Sequence, residues 1–314
     1  MLRREWSRPA SLRARDYPET DARGGRRGGA VQAEDDWGHG GSTLVVAFEG
    51  WNDAGEAAST AVRSLRDQLG LVPLVEVEPE DYFDYQFNRP VTTFDANGDR
   101  VIAWPSVVLS GPVDRGEGVH VLLGTEPSRG WKTFAEEVLD AISVAGVERI
   151  VFLGAMLADV PHTRPIAIFA SSENASVRER FGLERSTYEG PVGIISVLAD
   201  AAERAGIPTV SIWASVPHYV HNAPSPKATL ALVERLEEFL EVPIARGTLV
   251  EDAEAWERGI DELASDDDDM TAYIEQLEQA RDTVDSPEAS GEAIAEEFER
   301  YLRKREGGDQ PPAP

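Results

Sequence analysis

The chain has 314 residues, with 57 acidic against 30 basic side chains, a formal net charge of −27 and no cysteine. That length suits one large α/β domain with appendages, or two modest domains. The missing thiols exclude disulfides, thiolate nucleophiles and cysteine-ligated metal, and the acidity argues against nucleic acid and anionic membrane as partners, since both need clustered cations.

Residues 1–41 mix Arg, Gly and acids, as in "RGGRRGG", with few apolar groups in any period. Such a segment buries too little surface to offset its ordering entropy, so a disordered N-terminal tail is expected. No apolar stretch follows its arginines as a secretion signal requires, and no run reaches the ~18–20 apolar residues of a membrane-spanning helix. A soluble, cytoplasmic protein is the resulting expectation.

From 42 to 243 short apolar runs alternate with helical periods. "TLVVAF" (43–48) predicts a buried strand, followed by a helix over roughly 55–69, and "LVPLVEV" (71–77) a second strand. In 81–113 an Asn97-Gly98 pair between alternating runs predicts an antiparallel hairpin. "VHVLLG" (119–124), "RIVFLGA" (149–155), "IAIFAS" (166–171) and "TVSIWAS" (209–215) read as further strands. Helices are predicted near 131–145, 193–205 and 226–240. This alternation implies a mostly parallel sheet covered on both faces.

Residues 245–314 carry 21 Asp/Glu against 7 Arg/Lys, a net of −14. Apolar residues at helical spacing in "YIEQLEQARDTV" and "AIAEEFERYL" predict an acidic helical extension over 244–306, with 307–314 as a loose end. "SDDDDM" (265–270) suits a helix N-cap and first turn, where acids meet the positive end of the dipole. Read as a calcium loop it lacks the glycine and the spaced ligands.

The stretch "VVAFEGWNDAGEAAS" places Gly50 and Gly55 at P-loop spacing directly after a strand. The Lys and Ser/Thr that should follow are replaced by Glu56 and Ala57, and a carboxylate there repels phosphate. No dinucleotide fingerprint and no nucleophile elbow occurs elsewhere. What remains is a tight strand-to-helix turn in which Asp53 caps the helix.

Five blocks, "FEGWNDAGEAAS", "LLGTEPSRGWKTFAEEVLDAI", "FLGAMLADVPHTRP", "GPVGIISVLADAAERAGIPTVSIWASVPHYV" and "SPKATLALVERL", run in order from about Leu44 to Leu240. Together they resemble the PAC2 family, proteins similar to proteasome assembly chaperone 2, and its bacterial branch in particular. The resemblance implies a three-layer α/β/α sandwich like that of nucleoside phosphorylases and related hydrolases. It also implies self-association into a homo-oligomer, with a trimer among the options, and work in assembling the 20S proteasome. It supplies no catalytic residues. Proteasome-binding relatives often end in a hydrophobic–Tyr–any-residue tail, whereas this chain closes on "QPPAP".

In an open α/β sheet, ligands bind beyond the carboxyl ends of the strands. Those ends offer Glu49 with Trp51, Asn52 and Asp53; Glu126 with Arg129 and Trp131; Asp159 with His162 and Arg164; and His218 with Tyr219 and His221. "ADVPHTRP" and "ASVPHYVH" share Val-Pro-His after a strand, so His162 and His218 would face one crevice if those strands were neighbours. One reading is a small-molecule pocket with Glu126 or His162 as acid/base and Arg129 or Arg164 holding an anion. The other is structural: Pro-His turns end the strands, Arg164 pairs with Asp159, and tryptophans, Trp131 among them, pack at an oligomer interface. His218 and His221 stand at i,i+3 without a third zinc ligand, so no metal and no cofactor is expected. Asn174-Ala175-Ser176 matches a glycosylation acceptor that a cytoplasmic protein does not use. Two functions therefore compete: a non-enzymatic assembly chaperone or scaffold, and an enzyme of phosphorylase–hydrolase type, which rests on fold analogy.

Overall fold

The computed structural model describes Trp37 and residues 40–285, except 78 and 115. The remainder of the expected N-terminal tail, the last amphipathic period "AIAEEFERYL" and the expected loose end lie outside the described residues. Trp37 belongs to the stretch read as tail, yet it is only 2% exposed. Its ring meets Phe181 edge-on at 5.7 Å and lies 5.8 Å from the Arg149 guanidinium.

The first strand, β1 (Ser42–Glu49), is buried at seven of its eight positions. A run without alternation is what a central strand needs when helices cover both faces. The chain continues through a 3-10 turn into α1 (Ala57–Gln68), then β2 (Val72–Glu76), the short α2 (Pro79–Tyr82), β3 (Val91–Phe94), β4 (Arg100–Ala103) and β5 (Val107–Gly111). Next come β6 (Val119–Thr125), α3 (Trp131–Val144), β7 (Val147–Ala158), β8 (Ile168–Ser171), α4 (Ala175–Phe181), α5 (Ile194–Arg204) and β9 (Thr209–Pro217). The helices α6 (Pro226–Leu240), α7 (Leu249–Ser265) and α8 (Asp268–Asp285) close the described chain.

Seven strands form one sheet in the order β2-β5-β6-β1-β7-β9-β8. The four central strands are parallel, while β5, β2 and β8 run antiparallel to their neighbours. Residues of α1, α6 and α4 pack on one face around Val45, Val151 and Ile212, and those of α3 and α5 on the other around Phe48, Phe134 and Phe152. The result is a three-layer α/β/α sandwich with a mostly parallel sheet. The predicted hairpin exists as β3–β4, paired from Val91↔Ala103 to Phe94↔Arg100, but it forms a ribbon separate from the main sheet.

The C-terminal extension begins with two acidic helices. α7 buries Ala253, Ile260 and Ala264, and α8 buries Ile274 and Leu277. Asp267 accepts from the backbone N–H groups of Asp269 and Met270, so the acidic run caps α8. α4 was not foreseen: Val177 is its single fully buried residue, and its signal is the Asn174 cap, whose side chain accepts from the Val177 N–H.

Candidate functional site

The carboxyl ends of β1, β6, β7 and β9 carry the four polar turns. In the first, Gly50 and Gly55 take positive φ, 116° and 61°, which leaves room for the chain to reverse within five residues. Asp53 Oδ1 accepts from the N–H groups of Ala58 and Ser59 at 2.8 and 3.1 Å, so the turn is closed by a helix cap. Burial pushes the Asp53 carboxyl above its ordinary range, against the lowering effect of those hydrogen bonds. The turn is also tied to its neighbours, because Ala155 N–H donates to Asn52 O at 2.8 Å and Ser225 N–H to Gly55 O at 2.7 Å.

Asn52 is only 1% exposed, and its Nδ2 donates to Glu126 Oε1 at 2.8 Å. The same oxygen accepts from Ile194 N–H at 2.9 Å. Ile194 opens α5, and the preceding residue is Gly193, which has no side chain to cap it. Glu126 supplies that cap from another strand, as a carboxylate at a helix N-terminus. Gly193 is needed for the approach, since a Cβ there would lie 2.4 Å from the Asn52 amide. Trp51, beside this knot, is 62% exposed.

Arg129 and Trp131 go elsewhere. The Arg129 guanidinium donates to the Glu80 and Asp81 carbonyls at 2.7 and 3.3 Å, which fastens α2 to the entrance of α3. Trp131 Nε1 donates to Pro127 O at 2.6 Å, and the half-buried ring packs against the layer of α3 and α5.

The other two turns do meet. β7 and β9 are neighbours, paired from Ile150↔Thr209 to Ala158↔Pro217, so both Val-Pro-His segments leave the sheet side by side. His162 is 1% exposed. The Tyr219 hydroxyl lies 2.7 Å from its backbone nitrogen and 2.9 Å from Nδ1, while Nε2 is 3.0 Å from Asp261 Oδ1 of α7. One arrangement satisfies all three contacts: the backbone N–H donates to Tyr219 Oη, the hydroxyl donates to Nδ1, and Nε2–H donates to Asp261. Burial pushes the Tyr219 phenol up to about 12, so the hydroxyl keeps its proton near neutrality.

Arg164 does not pair with Asp159, contrary to the structural reading of the sequence. Its guanidinium reaches across to α8, at 2.7 Å from Asp282 and 3.2 Å from Glu278, and Thr163 also bonds Glu278. Asp159 lies instead 3.2 Å from His218 Nδ1, without hydrogen-bond geometry. The carboxylates of α8 outcompete it because two of them, four residues apart, embrace one guanidinium. Lys227 at the start of α6 donates to His162 O and pairs with Glu257 of α7. The backbone N–H of His221 donates to His218 O at 3.4 Å, closing a 3-10 turn, and its Nδ1 lies 2.8 Å from the same oxygen. Among the described residues no group of three or more His, Asp or Glu side chains converges as a metal site.

The candidate residues therefore form two knots. Asn52, Asp53 and Glu126 join β1, β6, α1 and α5; Asp159, His162, Arg164 and His218 join the ends of β7 and β9 to the acidic helices. Reading the sequence named Tyr219 but missed the other partners of the second knot: Lys227, Glu257, Asp261, Glu278, Asp282 and Tyr273, whose ring meets that of His218 edge-on at 5.6 Å. The available signal was the i,i+4 spacing of Glu257 with Asp261 and of Glu278 with Asp282, which sets each pair on one helix face. A cleft of about 410 Å³ lies beside the first knot, between α1 and the β2–β5 end of the sheet, lined by Glu49, Arg63, Arg66, Trp104, Ser106 and Pro73 among others.

The model of the PAC2 family matches residues 47–264. None of the curated proteins matches the chain. Among solved structures, the chain is similar to a PAC2 family protein from Streptomyces avermitilis MA, at 43% identity and a TM-score of 0.67 over 74% of this chain and 99% of that one. It is similar to the Mycobacterium tuberculosis proteasome-assembly chaperone homologue Rv2125, at 43% identity and a TM-score of 0.66, again over 74% and 99%. Pyrococcus furiosus PbaA, an archaeal homolog of proteasome-assembly chaperone, shares the fold at 17% identity, with a TM-score of 0.52 over 77% of this chain and 96% of that one.

Proposed function

The chain belongs to the PAC2 family, and from that premise we propose that it is a non-enzymatic, chaperone-like scaffold that works by binding other proteins. One observation carries the reading: the groups best suited to acid–base work at the strand ends are taken up by architecture. Glu126 caps α5 and holds Asn52, and His162 has both ring nitrogens engaged. A catalytic base has to reach a substrate proton, and these two reach backbone and neighbouring side chains instead. Among the described residues no helix is long and apolar enough to cross a membrane, and the acidic surface suits partners that carry basic patches.

The partners we propose are subunits of the 20S proteasome, with the protein acting in the cytoplasm as a homo-oligomer, a trimer being one option. Support comes from the 43% identity to the M. tuberculosis proteasome-assembly chaperone homologue. The test is affinity capture of the tagged full chain from its own cells at ordinary salt, with unassembled proteasome subunits as the expected co-purifying species. Recovery of none of them, from cells in which the subunits are abundant, would overturn the proposal.

A further inference from the structure

The cleft beside α1 has the makings of a small-molecule site. α1 packs over β1, β6 and β7, and the cleft opens where that roof ends, above β5 and β2. Its volume of about 410 Å³ falls within the ~300–1,000 Å³ usual for ligand pockets. The floor is apolar at Val108 and Leu123 and polar at Ser110, which stands opposite Val121 in the β5–β6 register. Ser110 is only 2% exposed, yet its hydroxyl has no hydrogen-bond partner among the described residues and is not sealed from the cleft. A hydroxyl set in an apolar floor is costly unless something bonds it.

The walls carry charge in an ordered way. Arg63 and Arg66 stand at i,i+3 on one face of α1. Glu49 is already satisfied, because Oε1 accepts from Arg63 Nη2 at 2.8 Å and Oε2 from the Thr125 hydroxyl at 3.3 Å. Arg66 pairs with Asp67, its sequence neighbour, whose side chain is 65% exposed, and such a pair contributes little in water. A guanidinium has five N–H donors. Arg63 engages only Nη2, and Arg66 only Nε and Nη2, so both keep donors for a further acceptor. Trp104 lines the same cleft, half-exposed, with its ring held at a tilt on Tyr85, centroids 4.8 Å apart.

We infer that this cleft binds a small aromatic carboxylate. The carboxylate sits on Arg63 and Arg66, the ring lies against Trp104 and Pro73, and a ring hydroxyl or amine bonds Ser110. Two cations against one anion leave the lining a single positive charge, which matches a monoanion. The planar fork of arginine suits a carboxylate. A phosphate is less favoured: α1 meets the cleft with its middle and last turns, and not with the N-terminal N–H groups that recruit phosphate. No histidine lines the cleft, and its one carboxylate is held by Arg63 and Thr125, so the ligand is bound and not turned over. The inference adds a ligand to the scaffold reading and is independent of it.

Calorimetric titration of the full chain with 4-hydroxyphenylacetate and with phenylacetate tests this. Both should bind saturably at one site per chain, the hydroxylated acid more tightly, and 4-hydroxyphenylethanol, which lacks the carboxylate, should not bind. Arg66→Gln should weaken both acids at least about 10-fold, the scale of a charge-assisted hydrogen bond, with an unchanged far-UV spectrum. Ser110→Ala should weaken 4-hydroxyphenylacetate about 5-fold and leave phenylacetate unchanged, a discrimination that disturbed packing does not produce. Failure of either acid to saturate the protein by ~10 mM overturns the inference and leaves the scaffold reading standing. Wild-type affinity in both variants places the ligand elsewhere and overturns the site. Tighter binding of phenyl phosphate than of phenylacetate overturns the choice of a carboxylate.

Discussion

Replacing Glu126 distinguishes a scaffold carboxylate from a catalytic one. In Glu126→Ala the Asn52 amide and the Ile194 N–H lose their common acceptor, and both residues are essentially buried. A buried donor left without a partner costs about 1–3 kcal/mol. Loss of a carboxylate from a helix N-terminus adds roughly 0.3–1 kcal/mol. Glu126 itself is half-buried, so water can enter the space it leaves, and the low end of each range applies. The sum is about 2.3 kcal/mol, or ~5–9 °C in Tm at ~2–4 °C per kcal/mol for a core of this size. Glu126→Gln keeps an acceptor oxygen and loses only the charge, so it should cost about 1 kcal/mol. Urea unfolding of both variants checks the ordering. A Glu126→Ala protein within about 0.5 kcal/mol of wild type would refute the capping role and return Glu126 to the list of free acids.

Asp53→Ala should cost about 1–2 kcal/mol through loss of the cap on Ala58 and Ser59, whereas Asp53→Asn retains an acceptor. Because burial raises the folded Asp53 pKa, its contribution is fully present below the unfolded value and is lost as pH rises through the folded one. Asp53→Asn should therefore gain on wild type as pH rises, and a difference flat with pH would contradict this. Gly154→Ala would place a Cβ 2.6 Å from the Trp213 ring, so overpacking should cost about 1–3 kcal/mol in urea unfolding, with a shift in tryptophan emission. Arg164 holds the Asp282 carboxyl below its ordinary range, so the pair's contribution is present above the unfolded carboxylate pKa and lost as pH falls through the folded one. Arg164→Ala should remove that acid-side dependence and speed proteolysis within α8; unchanged cleavage would show that apolar packing alone holds the helix.

Much of the fold was legible because its signals are local. The uninterrupted apolar run of β1, the Asn97-Gly98 turn and the i,i+4 periods of α6 and α8 each report their element without help from the rest of the chain. The Val-Pro-His repeat raised the adjacency of β7 and β9 only as a condition, and the pairing of the two strands meets it. Separation of the β3–β4 ribbon from the main sheet was not legible, because strand signals report pairing within a hairpin and say nothing of what lies beside it. The direction of β8 was equally silent, as the sign of a pairing is settled by connections and not by side-chain pattern.

The roles of the candidate residues were less legible for a related reason. A carboxylate after a strand reads alike whether it awaits a substrate or caps a distant helix. What separates the two is the identity of the donors, and for Glu126 one donor lies 74 positions away and the other 68. Arg164 repeats the point: Asp159 is nearer in sequence, yet Glu278 and Asp282 are the acids it meets. The absences gave the clue that sequence alone could use. α5 opens on Gly193, which leaves its first N–H groups without a local cap, so an acceptor had to come from elsewhere in the fold. An uncapped helix start near a strand-end acid is thus a reason to expect architecture there before chemistry.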